Sequence, residues 1–318
     1  MRFALMSEPQ QGLSYAEVVA LARAAEDAGF EAYFRSDHYA SFPGEAGLPT
    51  TDAWATLAGL ARETTRINLG TLVSPVTFRT PGNLAKVVAT VAEMAGGRIE
   101  LGMGAGWNDL EHRQHGLGFP STRERFDMLE EQLAIVHGLW AEPDGWSFEG
   151  RHWQVRDAQF YPKPPAPPDR RHPNLIIGGN GRPRMARLVA QYADEFNLTS
   201  ASPQAAADAY ERVRNACDEQ GRDPAQVALS AMTGVLVGVT QADVDRRARE
   251  LLRVVGAEGS EGEAWLAERM RRWIWGTPDQ ARARVAEFEA VGAQRLMLQT
   301  FLPRDLEMVS LLGEIFLD

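Results

Sequence analysis

Short apolar runs alternate along the chain with stretches whose apolar residues recur every three or four positions. That alternation predicts repeated strand–helix units around a parallel sheet. Arg2 to Met6 reads as the first strand. Ser14 then caps a helix through Ala28, with Val18, Leu21, Ala22 and Ala25 on one face and Gly29 as its stop. Ala32 to Ser36 is the second strand, Asp52 opens a helix to about Glu63, and Ile67 to Val73 is the third strand. Pro81 sits where a first-turn proline belongs, ahead of a helix carrying Leu84, Val87, Val88 and Val91. Arg98 to Met103 is the fourth strand, followed by Gly104-Ala105-Gly106-Trp107.

The period then breaks. A long helix from about Thr122 to Trp140 leads into a β-hairpin around Gly150, over Trp146 to Val155. The run Tyr161-Pro162-Lys163-Pro164-Pro165-Ala166-Pro167-Pro168 is too proline-rich for a helix or central strand and reads as a semi-rigid connector. Alternation resumes with strands at Asn174 to Ile177, Glu195 to Leu198, Val227 to Val239 and Arg295 to Gln299. Helices fall between them at Arg182 to Tyr192, Pro203 to Gln220, Gln241 to Val254, Gly262 to Arg272 and Thr277 to Val291, and a terminal helix closes the chain. Eight strands, each followed by a helix, predict a (β/α)8 TIM barrel: one domain over residues 1–318 with an insertion between strands four and five, at about 108–173. A doubly wound open sheet would place a Gly-x-Gly-x-x-Gly turn after the first strand, and Ser7 to Leu13 lacks it.

Composition narrows the function classes. Among 318 residues, 44% hydrophobic and 24% charged describe a globular chain. With 33 Lys plus Arg against 43 Asp plus Glu, the net charge is 33 − 43 = −10, which argues against a nucleic-acid partner. One cysteine, Cys217, excludes an internal disulfide framework and a cysteine-rich metal or iron–sulfur site, and reads as a packed thiol. The chain starts at once on Arg2-Phe3-Ala4-Leu5-Met6, and no run approaches about 18 apolar residues. The expectation is a soluble cytoplasmic protein with no membrane partner.

In a barrel of this kind the active site forms at the C-terminal ends of the strands, so the residues after each strand carry the candidate chemistry. After the second strand stand Asp37 and His38. An imidazole titrates near neutrality and can act as acid, base or hydrogen-bond donor; a histidine satisfied by Asp37 or by backbone is the alternative. After the fourth strand, Gly104, Ala105, Gly106 and Trp107 would let a flat ring or phosphate approach the backbone, although a tight turn uses the same residues. After the fifth, Gly178, Gly179, Asn180 and Gly181 precede a helix, whose amide N–H groups and dipole suit a phosphate. Glu111, His112 and His115 can meet on a helical turn, but without a further ligand they do not make a metal site, and a surface loop or substrate contact is the preferred reading. Trp265, Trp273 and Trp275 read as core or interface packing. No Gly-x-Ser-x-Gly elbow supports serine hydrolase chemistry.

Taken together these loops resemble a known family. Leu69-Gly70-Thr71 through Phe78-Arg79-Thr80-Pro81, Gly96-Gly97-Arg98, Leu101-Gly102-Met103-Gly104-Ala105-Gly106-Trp107, Glu124-Arg125-Phe126, Phe148-Glu149-Gly150-Arg151, Lys163-Pro164, Ile177-Gly178-Gly179 and Gly276-Thr277-Pro278 resemble the luciferase-like flavin and deazaflavin oxidoreductases. The resemblance spans nearly the whole chain, least clearly from Gly256 to Trp275, and is strongest toward the coenzyme F420-dependent oxidoreductases. It implies hydride transfer between bound coenzyme F420, a deazaflavin, and a small organic substrate. The alternative it implies is an FMN-dependent monooxygenase using reduced flavin and oxygen, and in either case a homodimer. It places Asp37 and His38 beside the tricyclic ring, Leu72 and Val73 behind it, Gly104, Ala105, Gly106 and Trp107 along the cleft, and Gly178, Gly179, Asn180 and Gly181 at the phosphate. His38 is the expected catalytic residue, because a hydride delivered to C=C, C=N or C=O needs a proton partner. The resemblance also puts a non-prolyl cis peptide between Leu72 and Val73; an oligoglutamate tail would want a basic exit path, for which Arg79, Arg182 and Arg184 are candidates that could equally serve phosphate or solvent. One departure stands out. The sugar-phosphate dehydrogenases of this superfamily carry an acidic glutamate after the strand-four glycines, where this chain has Trp107; Asp109 or Glu111 would have to deputise. Intact His38 and both glycine loops argue against a barrel that binds ligand without turnover.

Overall fold

The computed structural model describes residues 1–166, 172–257 and 259–317. Its strands are β1 (Arg2–Ser7), β2 (Ala32–Arg35), β3 (Asn68–Pro75), β4 (Ile99–Gly104), β5 (Trp146–Glu149), β6 (Gln154–Ala158), β7 (Asn174–Gly179), β8 (Glu195–Leu198), β9 (Ala228–Val237), β10 (Ile274–Gly276) and β11 (Arg295–Thr300). Its helices are α1 (Tyr15–Asp27), α2 (Ala53–Glu63), α3 (Pro81–Met94), α4 (Asp109–Gln114), α5 (Thr122–Ala141), α6 (Pro183–Tyr192), α7 (Pro203–Glu219), α8 (Gln241–Val255), α9 (Gly259–Arg272), α10 (Pro278–Ala290) and α11 (Leu306–Phe316). Parallel pairing runs β9-β11-β1-β2-β3-β4-β7-β8 and closes through β8 against β9, giving an eight-stranded (β/α)8 barrel.

Strand alternation builds two cores. On β1, Phe3 and Leu5 face the helices while Ala4 and Met6 face the barrel axis; on β2, Tyr33 faces out and Ala32 and Phe34 face in. Both faces are buried, which is why these strands read as continuous apolar runs. The inner core is small: Ala4, Met6, Ala32, Phe34, Leu72, Ile176, Met232 and Met297. Helix starts follow local chemistry. Ser14 caps α1 and receives the Glu17 carboxylate on its own N–H in a capping box, and Asp52 caps α2 through the Ala55 N–H.

The sequence-based boundaries hold within a few residues, and the hairpin over 146–155 appears as β5 and β6, extended to Ala158. Between β4 and β7 lie α4, α5 and that hairpin, whose Trp146 packs on Gly138 of α5. Pro167 and Pro168 of the proline run lie outside the described residues. Two elements escaped the sequence reading. α4, with six residues, is too short to show a period. β10 pairs with the far end of β9, which at 10 residues outruns its other neighbours. Cys217 is fully buried in α7.

Candidate active site

At the C-terminal mouth of the barrel the strand ends surround a cavity of about 730 Å³. Eleven of the residues singled out in the sequence line it: Asp37, His38, Leu72, Val73, Gly104, Ala105, Gly106, Trp107, Gly178, Gly179 and Asn180. Gly181 does not. It is buried behind the loop, where an added Cβ would come within 3.0 Å of Phe196 and 3.1 Å of Ala209.

His38 is held from one side. Its Nδ1–H donates to Glu111 Oε1 at 2.9 Å and approaches Oε2 at 3.2 Å. The Tyr39 backbone N–H donates to the same carboxylate at 2.9 Å. Glu111 is only 1% exposed, so α4 is no surface loop: it turns a buried carboxylate toward the mouth. A proton fixed on Nδ1 leaves Nε2 facing the cavity. Phe42 and Trp107 meet the imidazole edge-on, with centroids 4.5 and 5.7 Å away, and Trp107 is 65% exposed at the rim. His112 on the same helix is a structural residue, joined through Nδ1 to the Asn108 carbonyl and through Nε2 to Thr77 Oγ1, both at 2.6 Å. Among the described residues no group of three or more His, Cys, Asp or Glu is placed to hold a metal.

Asp37 is buried and firmly engaged. Ser74 Oγ donates to it at 2.8 Å and Arg79 Nη1 at 2.6 Å. Arg79 also bonds Asp52, and Tyr39 donates its phenol to Asp52 at 2.9 Å. Burial alone would lower the Arg79 pKa; Asp37 and Asp52 overcome it and raise it, fixing the charge as protonated. Burial pushes the Tyr39 phenol up as well, so it remains a donor. Arg79 is therefore no free cation for an anionic tail. Arg184 is not free either, because Asp127 and Glu130 pair with it, whereas Arg182 is exposed.

The floor of the cavity is a close-fitting apolar surface. The Leu72–Val73 peptide is cis, the β3–β4 register shifts between Thr71 and Ser74, and Val73 fills the space over two bare glycines. A Cβ on Gly104 or on Gly178 would each come to 2.6 Å from a Val73 methyl. These glycines therefore make room for Val73 as well as for anything that approaches the backbone. Beyond Gly179 and Asn180, α6 starts at Pro183 with no side chain capping its N-terminus. Arg125 lines the same cavity. It is 6% exposed, its guanidinium bonds the Ala105 and Pro120 carbonyls and Thr122, and among the described residues no carboxylate pairs with it. Burial lowers its pKa with nothing to offset the penalty.

Several further residues line the cavity, most of them with no signal in the sequence. Glu8 after β1 is buried and receives the side-chain amides of Gln10 and Gln299. Trp265, Glu268, Arg269, Arg272 and Trp273, from α9 and the residue after it, form a wall with Phe301. Trp265 and Trp273 pack against the barrel's outer core, as expected, and also line the site, while Trp275 is buried in that core.

A family model for luciferase-like monooxygenases matches residues 1–295. The chain is 35% identical over 202 residues to the F420-dependent glucose-6-phosphate dehydrogenase of Nakamurella multipartita, covering 63% of this chain and 56% of that protein. It is 36% identical over 178 residues to the enzyme of the same name from Microbacterium testaceum, covering 55% and 50%. The chain thus spans about half the length of the curated relatives it matches. Among solved structures, an F420-dependent secondary alcohol dehydrogenase superposes with TM-score 0.82 at 20% identity, over 99% of this chain and 98% of that one. A monooxygenase from Streptomyces bottropensis superposes with TM-score 0.82 at 21% identity, over 99% and 97%. These two share the fold. With the barrel, its mouth and the match over residues 1–295 in agreement, the chain belongs to the luciferase-like monooxygenase family.

Proposed function

We propose that the chain is an oxidoreductase that moves a hydride between coenzyme F420 and a small organic substrate. The observation that carries the proposal is His38, fixed through Nδ1 by buried Glu111, with Nε2 free over a glycine floor backed by Val73. The relatives named as F420-dependent dehydrogenases support this cofactor.

The residues present fit a flat ring joined to a phosphate. Val73 between Gly104 and Gly178 offers an apolar backing without protruding side chains. The uncapped start of α6 and Arg125, which has no carboxylate partner among the described residues, offer positive potential for a phosphate beside Gly178, Gly179 and Asn180. When bound, the deazaflavin supplies the carbon that gives or takes the hydride. Leu72 and Val73 then support the ring, while Gly104, Ala105 and Gly106 border the cleft. Asp37, immobilised by Arg79 and Ser74, keeps the wall next to His38 in place. His38 Nε2 gives or accepts the proton that accompanies the hydride. Phe42 and Trp107 hold the imidazole ring edge-on. Gly181 serves the turn behind the loop. Residues 1–318 act as one domain, with the excursion at about 108–173 supplying Glu111 and Arg125. A homodimer in the cytoplasm belongs to the same proposal on the family resemblance, and light scattering of the purified protein tests the assembly.

Titration of the purified protein with F420 and with FMN tests the cofactor. F420 is expected to bind at least about tenfold more tightly, a difference of about 1.4 kcal/mol. Tight FMN binding with none of the deazaflavin would favour the flavin monooxygenase chemistry instead.

A further inference from the structure

Six aromatic rings besides the imidazole stand around the cavity: Phe42, Trp107, Phe126, Trp265, Trp273 and Phe301. Two flank His38, and three belong to the wall of Trp265, Trp273 and Phe301. That wall is built, not incidental. The Trp273 indole lies over β9 at Gly234, where an added Cβ would come to 2.1 Å from Cδ2. It stacks on Phe301 with centroids 5.2 Å apart and planes 4° from parallel. Trp265 meets it edge-on at 5.8 Å, and the Arg269 guanidinium covers the Trp265 ring at 4.0 Å. The polar groups beside these rings are engaged with one another. Glu268 takes Arg269 at 2.7 Å and Arg272 at 2.9 Å, and Arg272 also donates to the Ser200 carbonyl at 2.7 Å. A polyol phosphate laid against this wall would have to break this set to gain partners for its hydroxyls, whereas a flat apolar ring would not. At the reacting end Trp107 stands where the resemblance to sugar-phosphate dehydrogenases calls for a carboxylate, and Glu111, which lines the cavity there, is already engaged by His38 and the Tyr39 N–H.

We propose that the substrate is a flat conjugated organic molecule, such as an aromatic enone, and that Trp273 determines this specificity. The proposal rests on the deazaflavin oxidoreductase reading of the site. In the reducing direction the hydride, carrying two electrons, forms a C–H bond at the β carbon of the enone. The C=C π bond breaks, its electron pair passes to the α carbon and carbonyl oxygen, and a proton from His38 completes the saturated ketone. The substrate gains H⁻ and H⁺ while the reduced deazaflavin is oxidised by two electrons. The rings hold the conjugated system flat so that one carbon meets the hydride donor.

Isothermal titration calorimetry of the full chain, with and without bound F420, tests the proposal using benzylideneacetone and glucose 6-phosphate as probes. Benzylideneacetone is expected to bind more tightly than glucose 6-phosphate. Trp273→Ala is expected to weaken it about tenfold, and Trp273→Phe to restore most of that loss, with F420 affinity unchanged. Circular dichroism checks that both variants fold, and Trp265→Ala provides a second, smaller loss should Trp273→Ala not fold. Tighter binding of glucose 6-phosphate, no binding of benzylideneacetone, parental binding by Trp273→Ala, or a Trp273→Ala defect confined to F420 would each overturn it. Failure of F420 to bind, with the probe results intact, would instead remove the cofactor assignment and leave the aromatic recognition standing.

Discussion

In the proposed mechanism His38 and Glu111 divide the work of one proton: the imidazole meets the substrate, and the buried carboxylate, which lines the same cavity, orients it. The carboxylate is a positioning residue: it accepts from His38 Nδ1 and the Tyr39 N–H and is sealed from solvent. Under the proposed mechanism His38→Ala removes the proton partner and is expected to lower turnover by about 10²–10⁴-fold, while cofactor affinity stays within an order of magnitude. Glu111→Ala releases the ring and should approach that loss; Glu111→Gln keeps an acceptor for Nδ1 and should lose less. Steady-state kinetics on the three variants, with cofactor titrations alongside, check the ordering. Parental turnover in Glu111→Ala would leave His38 without need of its partner. His38 was legible because it follows a strand end, a position where barrels place chemistry. Its link to Glu111 was not, because the two residues are 73 apart and α4 is too short to announce a buried face.

Helices with a clear apolar period and a cap, such as α1 after Ser14 and α2 after Asp52, were legible to within a residue or two. α9 shows the limit of that logic. Its helix was expected, but Trp265 on it and Trp273 just after it carry the same signal whether a helix packs on the flank or folds over the mouth. At α6 the sequence and the structure point the same way. A glycine loop enters a helix whose first turn no side chain caps. Gly179→Asp puts bulk and negative charge where the proposed phosphate sits, and should weaken F420 binding by at least about tenfold. The backbone there has φ +154°, and a Cβ would approach the Met185 methyl at 2.4 Å. Gly179→Ala therefore separates the steric effect from charge. Fluorescence titration of both variants, with thermal midpoints as the folding control, decides it: equal affinity in Gly179→Asp would move the phosphate elsewhere.

Across the whole barrel the interior is layered, with the site at the C-terminal mouth, an apolar middle, and a buried ionic cluster at the opposite end. Arg295, the first residue of β11, is 1% exposed. It donates twice to Glu100, at 2.7 and 2.9 Å, lies 3.0 Å from Glu195, and has its Nε 2.5 Å from Glu31. Nothing in the strand pattern foretold this cluster, because its members sit singly in four separate strand starts or turns and meet only when the barrel closes. Burial would raise the Glu100 carboxyl, but Arg295 outweighs it and lowers it; burial prevails at Glu31 and raises it. Arg295→Met leaves Glu100 and Glu195 without their cation and Glu31 with Arg2 alone, and should cost about 3–5 kcal/mol at neutral pH. The pH dependence has a definite sign. In the parent, the lowered Glu100 carboxyl contributes stability above its unfolded value, and that contribution fades as pH falls through the folded one. In Arg295→Met the same carboxyl becomes a buried, unpaired acid with a raised folded value, so protonation relieves it and acid works in the opposite direction. The stability gap between variant and parent is therefore expected to narrow as pH falls from neutral toward about 5. Urea unfolding at several pH values measures both quantities, and a gap that stayed constant or widened in acid would show that the carboxylates are not what Arg295 holds in check.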